Sequence, residues 1–304
     1  MIELSNDELK AGLLPYGARL VSVELGDGWQ AALSPPGGDD DREDPAYIGA
    51  ALGRYANRID GGFTLDGRRF DAETDGGDVA LHGGPRGFAR REWDVLDHSR
   101  DRAVFRLESE DGDQGYPGHL RVLLTVRVEG RALLVSFEAE TDQPTPVNLS
   151  YHPYFRLGDE TVHGHRLTLP AQGVLATDSR QVPTGEIMPL VGGALDLSDG
   201  PVLGERIGLL DAFQGFDHCY MTPGGVRARL AHEGSGRSLV ITSDAPAVQV
   251  YTGQGLSGPN APYAGIAIEP QSPPDAPNHA TLGDTILRPG GVYRRAIRYS
   301  FDWR

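Results

Sequence analysis

The sequence predicts an all-β chain, folded as a single antiparallel domain over residues 1–304 in a sandwich or a barrel. Three observations carry this. Short apolar runs alternate with polar residues at a period of two, the spacing of a half-buried strand. Glycine and proline make up 41 and 22 of the 304 residues, which fits many turns rather than long helices. The best helical stretch is short, at 205–213.

The first predicted strands are 19–25 and 103–108. In the run 120–128, Leu120, Val122, Leu124, Val126 and Val128 share one face, with Arg121, Thr125 and Arg127 on the other. A short Glu129-Gly130 turn leads into 131–140, where Leu133, Val135, Phe137 and Ala139 again share a face. These two runs read as an antiparallel hairpin. Further strands are expected at 226–231, 238–242, 247–251, 265–269 and 292–301, and Pro270 is expected to end the strand that carries Glu269. The segment PPGGDDDRED, 35–44, suits an exposed loop, and no repeat of fixed period or extended linker interrupts the chain.

Composition narrows the function classes. A hydrophobic content of 39% with 23% charged residues fits a soluble globular protein. The net charge of −15 argues against a nucleic acid or an anionic membrane as partner and disfavours a strongly anionic ligand. Lys10 is the only lysine, so Schiff-base chemistry has one candidate near the N-terminus and is set aside. Cys219 is the only cysteine, which excludes an intramolecular disulfide and a cysteine zinc cluster and fits a reducing cytoplasm. The segment MIELSNDELK lacks a signal-peptide pattern, and no run approaches the ~18 apolar residues of a membrane span. A soluble cytoplasmic protein is expected, as monomer or homodimer.

The motifs that carry chemistry are polar. In VNLSYHPYF, 147–155, His152 is flanked by Tyr151, Tyr154 and Phe155, so it belongs either to the core or to a water-poor site. GIAIEPQSPPDAPN, 265–278, places Glu269 at the end of an apolar run. An acid and a base from distant positions suit a reaction made of proton transfers. GRYANRI (53–59) contributes Arg54, Asn57 and Arg58; LHGG (81–84) sets His82 beside two glycines that let the backbone approach a ligand. FDHCY (216–220) holds Asp217, and VQVYTG (248–253) puts Gln249 and Tyr251 on one face. Together these side chains suit the hydroxyls of a neutral polyol. Three patterns are rejected. GQGLSG (253–258) continues into PNAPYAG and cannot open a dinucleotide-binding helix. His163 and His165 lack companion metal ligands and read as exposed loop residues, and GSG at 234–236 is an incomplete nucleophile elbow.

In this order the segments resemble the aldose 1-epimerase (galactose mutarotase) family: GRYANRI, LHGGPRGF with Trp93 following, GYPG at 115–118, NLSYHPYF, LPAQGVLATDSRQVPTGE at 169–186, FDHCY, VYTG, IEPQSPPDAPN and LRPGGVY at 287–293. The resemblance runs from about residue 12 to the C-terminus. It implies a large twisted antiparallel β-sandwich, the galactose mutarotase-like supersandwich, and a reaction without cofactor or metal on a small-molecule sugar. It also implies that His152 protonates the ring oxygen and Glu269 takes the proton of the anomeric hydroxyl. Asn57, Arg58, His82, Asp217 and Gln249 are implied to orient the sugar. A nearby carboxylate is expected to raise the pKa of His152. Tyr151, Pro153 and Arg156 depart from the family pattern, and Arg156 near the pocket is compatible with an acidic or phosphorylated sugar.

Three other readings stay in view. A hexose-6-phosphate 1-epimerase would keep His152 and Glu269 and add a cationic clamp. A non-catalytic carbohydrate-binding or sensor protein has no need of Glu269. A glycosidase using Asp217 and Glu269 leaves His152 without a role.

Overall fold

The computed structural model describes residues 1–37, 44–210 and 212–304. Residues 38–43, most of the acidic loop expected at 35–44, lie outside the described residues. Two large antiparallel sheets dominate. The eight-stranded one runs in the order Arg166–Thr168, Val226–His232, Arg237–Ser243, Tyr293–Asp302, Ala132–Thr141, Leu120–Glu129, Arg102–Ser109 and Asp94–His98. The six-stranded one runs Tyr154–Phe155, Ile266–Gln271, Ala247–Tyr251, Asp217–Met221, Gly173–Thr177 and Pro183–Pro189. Every predicted strand is present within two residues of its expected bounds.

Period-two alternation builds the core from both sheets. Leu120, Val122, Leu124, Val126 and Val128 are all buried, and the hairpin register sets Leu124 opposite Phe137. From the six-stranded sheet, Phe155, Tyr220, Val248, Val250, Ile266 and Ile268 enter the same apolar cluster. Phe155 bridges the layers, its ring 5.2 Å from Tyr299 and 5.9 Å from Phe301.

Two local expectations are corrected. The strand carrying Glu269 continues through Pro270 to Gln271. The flanking Tyr154–Phe155 strand pairs only with Ile266 and Ala267, so Pro270 lies beyond that ladder, where a missing amide donor is tolerated. The helix is shorter and earlier than expected, Leu203–Ile207, and stops at Gly208. No helix among the described residues is long and apolar enough to cross a membrane.

Candidate active site

The second face of the six-stranded sheet forms the floor of the site. Pairing sets Gln249 opposite both Glu269 and Cys219, and Tyr251 opposite both Ala267 and Asp217. Because side chains alternate, Asp217, Gln249, Tyr251 and Glu269 project to the side away from the shared core. They line a cavity of about 310 Å³, together with Asn57, Arg58, His82, His152, Tyr154, Tyr47 and Gln181. All seven candidate residues of the sequence reading, His152, Glu269, Asn57, Arg58, His82, Asp217 and Gln249, therefore share one pocket.

The backbone at His152 is fixed on both sides: its N–H donates to Ala50 O at 3.0 Å, and its carbonyl accepts from Gly49 N–H at 2.9 Å. This close pairing needs glycine at position 49, where φ is +71° and a Cβ would stand 1.8 Å from Leu20 O. Asn148 joins three segments, donating to Ala56 O and Ser272 O while accepting from Ser272 N–H. Ser150 Oγ donates to Pro270 O at 2.9 Å. The histidine segment is thereby held against the strand that carries Glu269.

His152 Nε2 lies 3.5 Å from Glu269 Oε1, and both side chains are buried. That separation is longer than a strong hydrogen bond and short enough for the two groups to face one substrate together. His152 Nδ1 and Glu269 Oε2 have no protein partner. The expectation that the carboxylate lifts the histidine is reversed: burial dominates and pushes His152 down to about 4. Burial also holds Glu269 well above the usual carboxylate range, Asp217 adds to the rise, and Arg58 opposes it.

Polar partners orient the rest of the lining. His82 Nδ1 accepts from the Asn57 N–H at 3.1 Å, which leaves the ring proton on Nε2. Burial keeps His82 well below its ordinary pKa, with the charges of His152 and Arg58 adding to the effect. Asp217 accepts from Gln249 Nε2 through Oδ1 at 2.6 Å and from Gln181 Nε2 through Oδ2 at 2.7 Å. Gln181 Oε1 in turn accepts from Arg58.

Some motif residues serve the scaffold instead. Arg54 turns into the core, donating to Pro117 O, Gly118 O and Ser109. The LHGG glycines meet protein rather than ligand, for a Cβ on Gly83 would stand 2.0 Å from Gly53 O. Tyr151 is fully buried, its hydroxyl donating to Ala18 O. Arg156 donates to Glu160 O and is not part of the pocket lining. His165, expected in an exposed loop, is fully buried; its Nε2 accepts from Leu157 N–H at 2.9 Å.

The sequence reading singles out neither Tyr47 nor Gln181, although both line the pocket and Gln181 lies inside the 169–186 segment that carries part of the family resemblance. Tyr47 stands edge-on to His82 at 4.7 Å, its turn pinned by Asp44, which pairs with buried Arg19 at 3.1 Å and accepts from Ala46 and Ile48 N–H. Gln181 sits in the turn between Gly173–Thr177 and Pro183–Pro189.

The galactose mutarotase of Bos taurus is 35% identical over 322 aligned residues, covering 99% of this chain and 93% of its own. The aldose 1-epimerase of Escherichia coli K12 is 32% identical, covering 98% of this chain and 93% of its own. Among solved structures, a GalM/aldose epimerase homologue from C. elegans superimposes with a TM-score of 0.93 at 30% identity, covering 99% of this chain and 98% of its own. A galactose 1-epimerase from Lactobacillus acidophilus gives 0.90 at 26% identity, covering 99% and 93%. The aldose 1-epimerase family model matches residues 1–300, and the chain belongs to that family.

Proposed function

We propose that the protein is an aldose 1-epimerase that interconverts the α and β anomers of a free, neutral aldose. One observation carries this reading: an acid and a base, His152 and Glu269, both buried, face each other at 3.5 Å in a pocket lined by polar side chains suited to sugar hydroxyls. In the opening step Glu269 takes the proton from the anomeric hydroxyl, and the electrons of that O–H bond form the aldehyde carbonyl. The bond between C1 and the ring oxygen breaks, and the ring oxygen keeps that electron pair and takes a proton from His152. Rotation about C1–C2 presents the other carbonyl face, and the reverse transfers close the ring to the opposite anomer. The pair holds one proton beforehand and one afterwards; burial of both groups favours it on Glu269, so it must first reach His152 for opening to begin, and each cycle then resets itself. Each positioned acid or base contributes ~10²–10⁴-fold in rate.

Asn57, Arg58, His82, Asp217 and Gln249 hold the sugar. A neutral sugar is favoured over a phosphorylated one because Arg58 is the only arginine or lysine among the described lining residues. Its guanidinium is engaged by Gln181 and lies 3.8 Å from Asp217, which leaves no free cation among the described lining residues for a phosphate clamp. Polarimetry of freshly dissolved α-D-glucose and α-D-galactose tests the reading, with the 6-phosphates as comparison. Fast mutarotation of the free sugars, lost in His152→Ala, is expected. Sugar binding with unchanged rates in that variant would instead mark a non-catalytic binder.

A further inference from the structure

The turn that carries Gln181 is built with more care than a hairpin connection needs. Asp178 Oδ1 accepts from the N–H groups of Arg180 and Val182, and Asp178 O accepts from Gln181 N–H at 3.0 Å. Arg180 reaches across to Asp60, donating to both carboxylate oxygens at 2.8 and 3.1 Å. Asp60 lies two residues from Arg58 on the Arg58–Asp60 strand. The turn is thus clamped onto the segment that supplies Arg58. Gln181 itself has φ of +61°, a left-handed conformation that a side chain other than glycine adopts at a cost. That conformation accompanies an amide bridging two pocket residues: Oε1 accepts from Arg58 and Nε2 donates to Asp217 Oδ2.

The bridge has a chemical consequence. Arg58 and Asp217 already form an ion pair at 3.8 Å, too long for a direct hydrogen bond but near enough to close into one. A closed pair would spend on each other the donors and lone pairs that a sugar hydroxyl needs. With Gln181 between them, Asp217 takes one amide on each oxygen, from Gln181 and Gln249, and keeps a lone pair on each for a hydroxyl. The amide also fixes the plane of the carboxylate, and so the direction from which a hydroxyl is accepted.

We propose that Gln181 is a positioning residue that sets sugar selectivity by holding Arg58 and Asp217 apart and oriented. The proposal rests on the pocket being the aldose site described above. It concerns discrimination between hydroxyl epimers rather than the proton transfers, so its mark falls on KM more than on kcat.

Two variants test it. Gln181→Met keeps the length of the side chain and removes both hydrogen bonds. Gln181→Glu keeps an acceptor for Arg58 but sets a carboxylate against Asp217, and regains a donor only when protonated. KM and kcat are measured by polarimetry for D-glucose, D-galactose and D-mannose, and affinities by calorimetry. In Gln181→Met, KM should rise about 5–20-fold, with at least one epimer ratio shifting threefold or more. In Gln181→Glu, KM should be worst at pH 8 and recover toward the wild-type value as the pH falls to 5, a dependence absent from Gln181→Met. The proposal is overturned if KM is unmoved, if all three sugars lose by one common factor, or if the Glu variant shows no recovery in acid. A wild-type protein that neither binds nor mutarotates any of the sugars overturns the function itself, whereas an active wild type with an indifferent Gln181→Met overturns only this role.

Discussion

On the eight-stranded sheet the polar face meets water. Arg121 lies directly across the ladder from Glu140 and pairs with it at 2.5 Å, with both side chains about half exposed. Arg106 and Asp94 form a similar contact at 2.7 Å. On the six-stranded sheet the corresponding face carries Asp217, Gln249 and Glu269 into a closed-in pocket walled by Tyr47, Tyr154 and Leu256. The strands obey the same period-two rule in both places. What differs is the solvent: a carboxylate on the first face is exposed, paired with a surface arginine and worth little to the fold, while Glu269 on the second face keeps an unpartnered oxygen and a displaced pKa. Polar groups retained under those conditions mark chemistry rather than architecture.

Glu269→Gln should separate the two roles most sharply. The rate should fall ~10²–10⁴-fold, while the melting temperature holds or rises, because a neutral amide replaces a buried acid. Activity and stability lost together would mean that this face is structural after all. The pH profile gives the next largest effect. The pair works with one proton, so activity falls on the acid side once His152 is also protonated, near pH 4. On the alkaline side it falls once Glu269 is bare, above the ordinary carboxylate range. Outside those limits the rate should drop about tenfold per pH unit, and an acid limb near the free-histidine value would show that the pair is not desolvated. Least affected should be activity in Leu124→Ala and Glu140→Ala. Leu124 is fully buried, so its truncation should cost about 2–5 kcal/mol in urea unfolding. Glu140→Ala should shift the melting temperature by no more than about a degree.

The same contrast explains what the sequence discloses. Strands such as Leu120–Glu129 are legible because one face is apolar and the other solvated, so burial and hydropathy agree. The seven candidate residues that share the pocket are legible because unusual polar residues sit inside strong motifs, as with His152 among tyrosines. Tyr47 lies outside every motif, and Gln181, though inside the 169–186 motif, is not itself an unusual residue there. A tyrosine beside an acidic loop and a glutamine in a polar turn are ordinary, and only the ion pairs Arg19–Asp44 and Arg180–Asp60, formed between distant segments, turn them into the pocket. The downward shift of His152 was hidden for a related reason: a sequence names the neighbouring carboxylate but not the depth of burial.

The position of the Tyr293–Asp302 strand has a consequence for synthesis. It pairs with Ala132–Thr141 on one side and with Arg237–Ser243 on the other, in the interior of the eight-stranded sheet. During translation the two parts of that sheet emerge well before the strand that unites them. Until it leaves the ribosome, each part presents an open edge, and the layer that backs the pocket is incomplete. The nascent chain should therefore acquire activity abruptly, once this strand has emerged, and chaperone demand should peak just before that point.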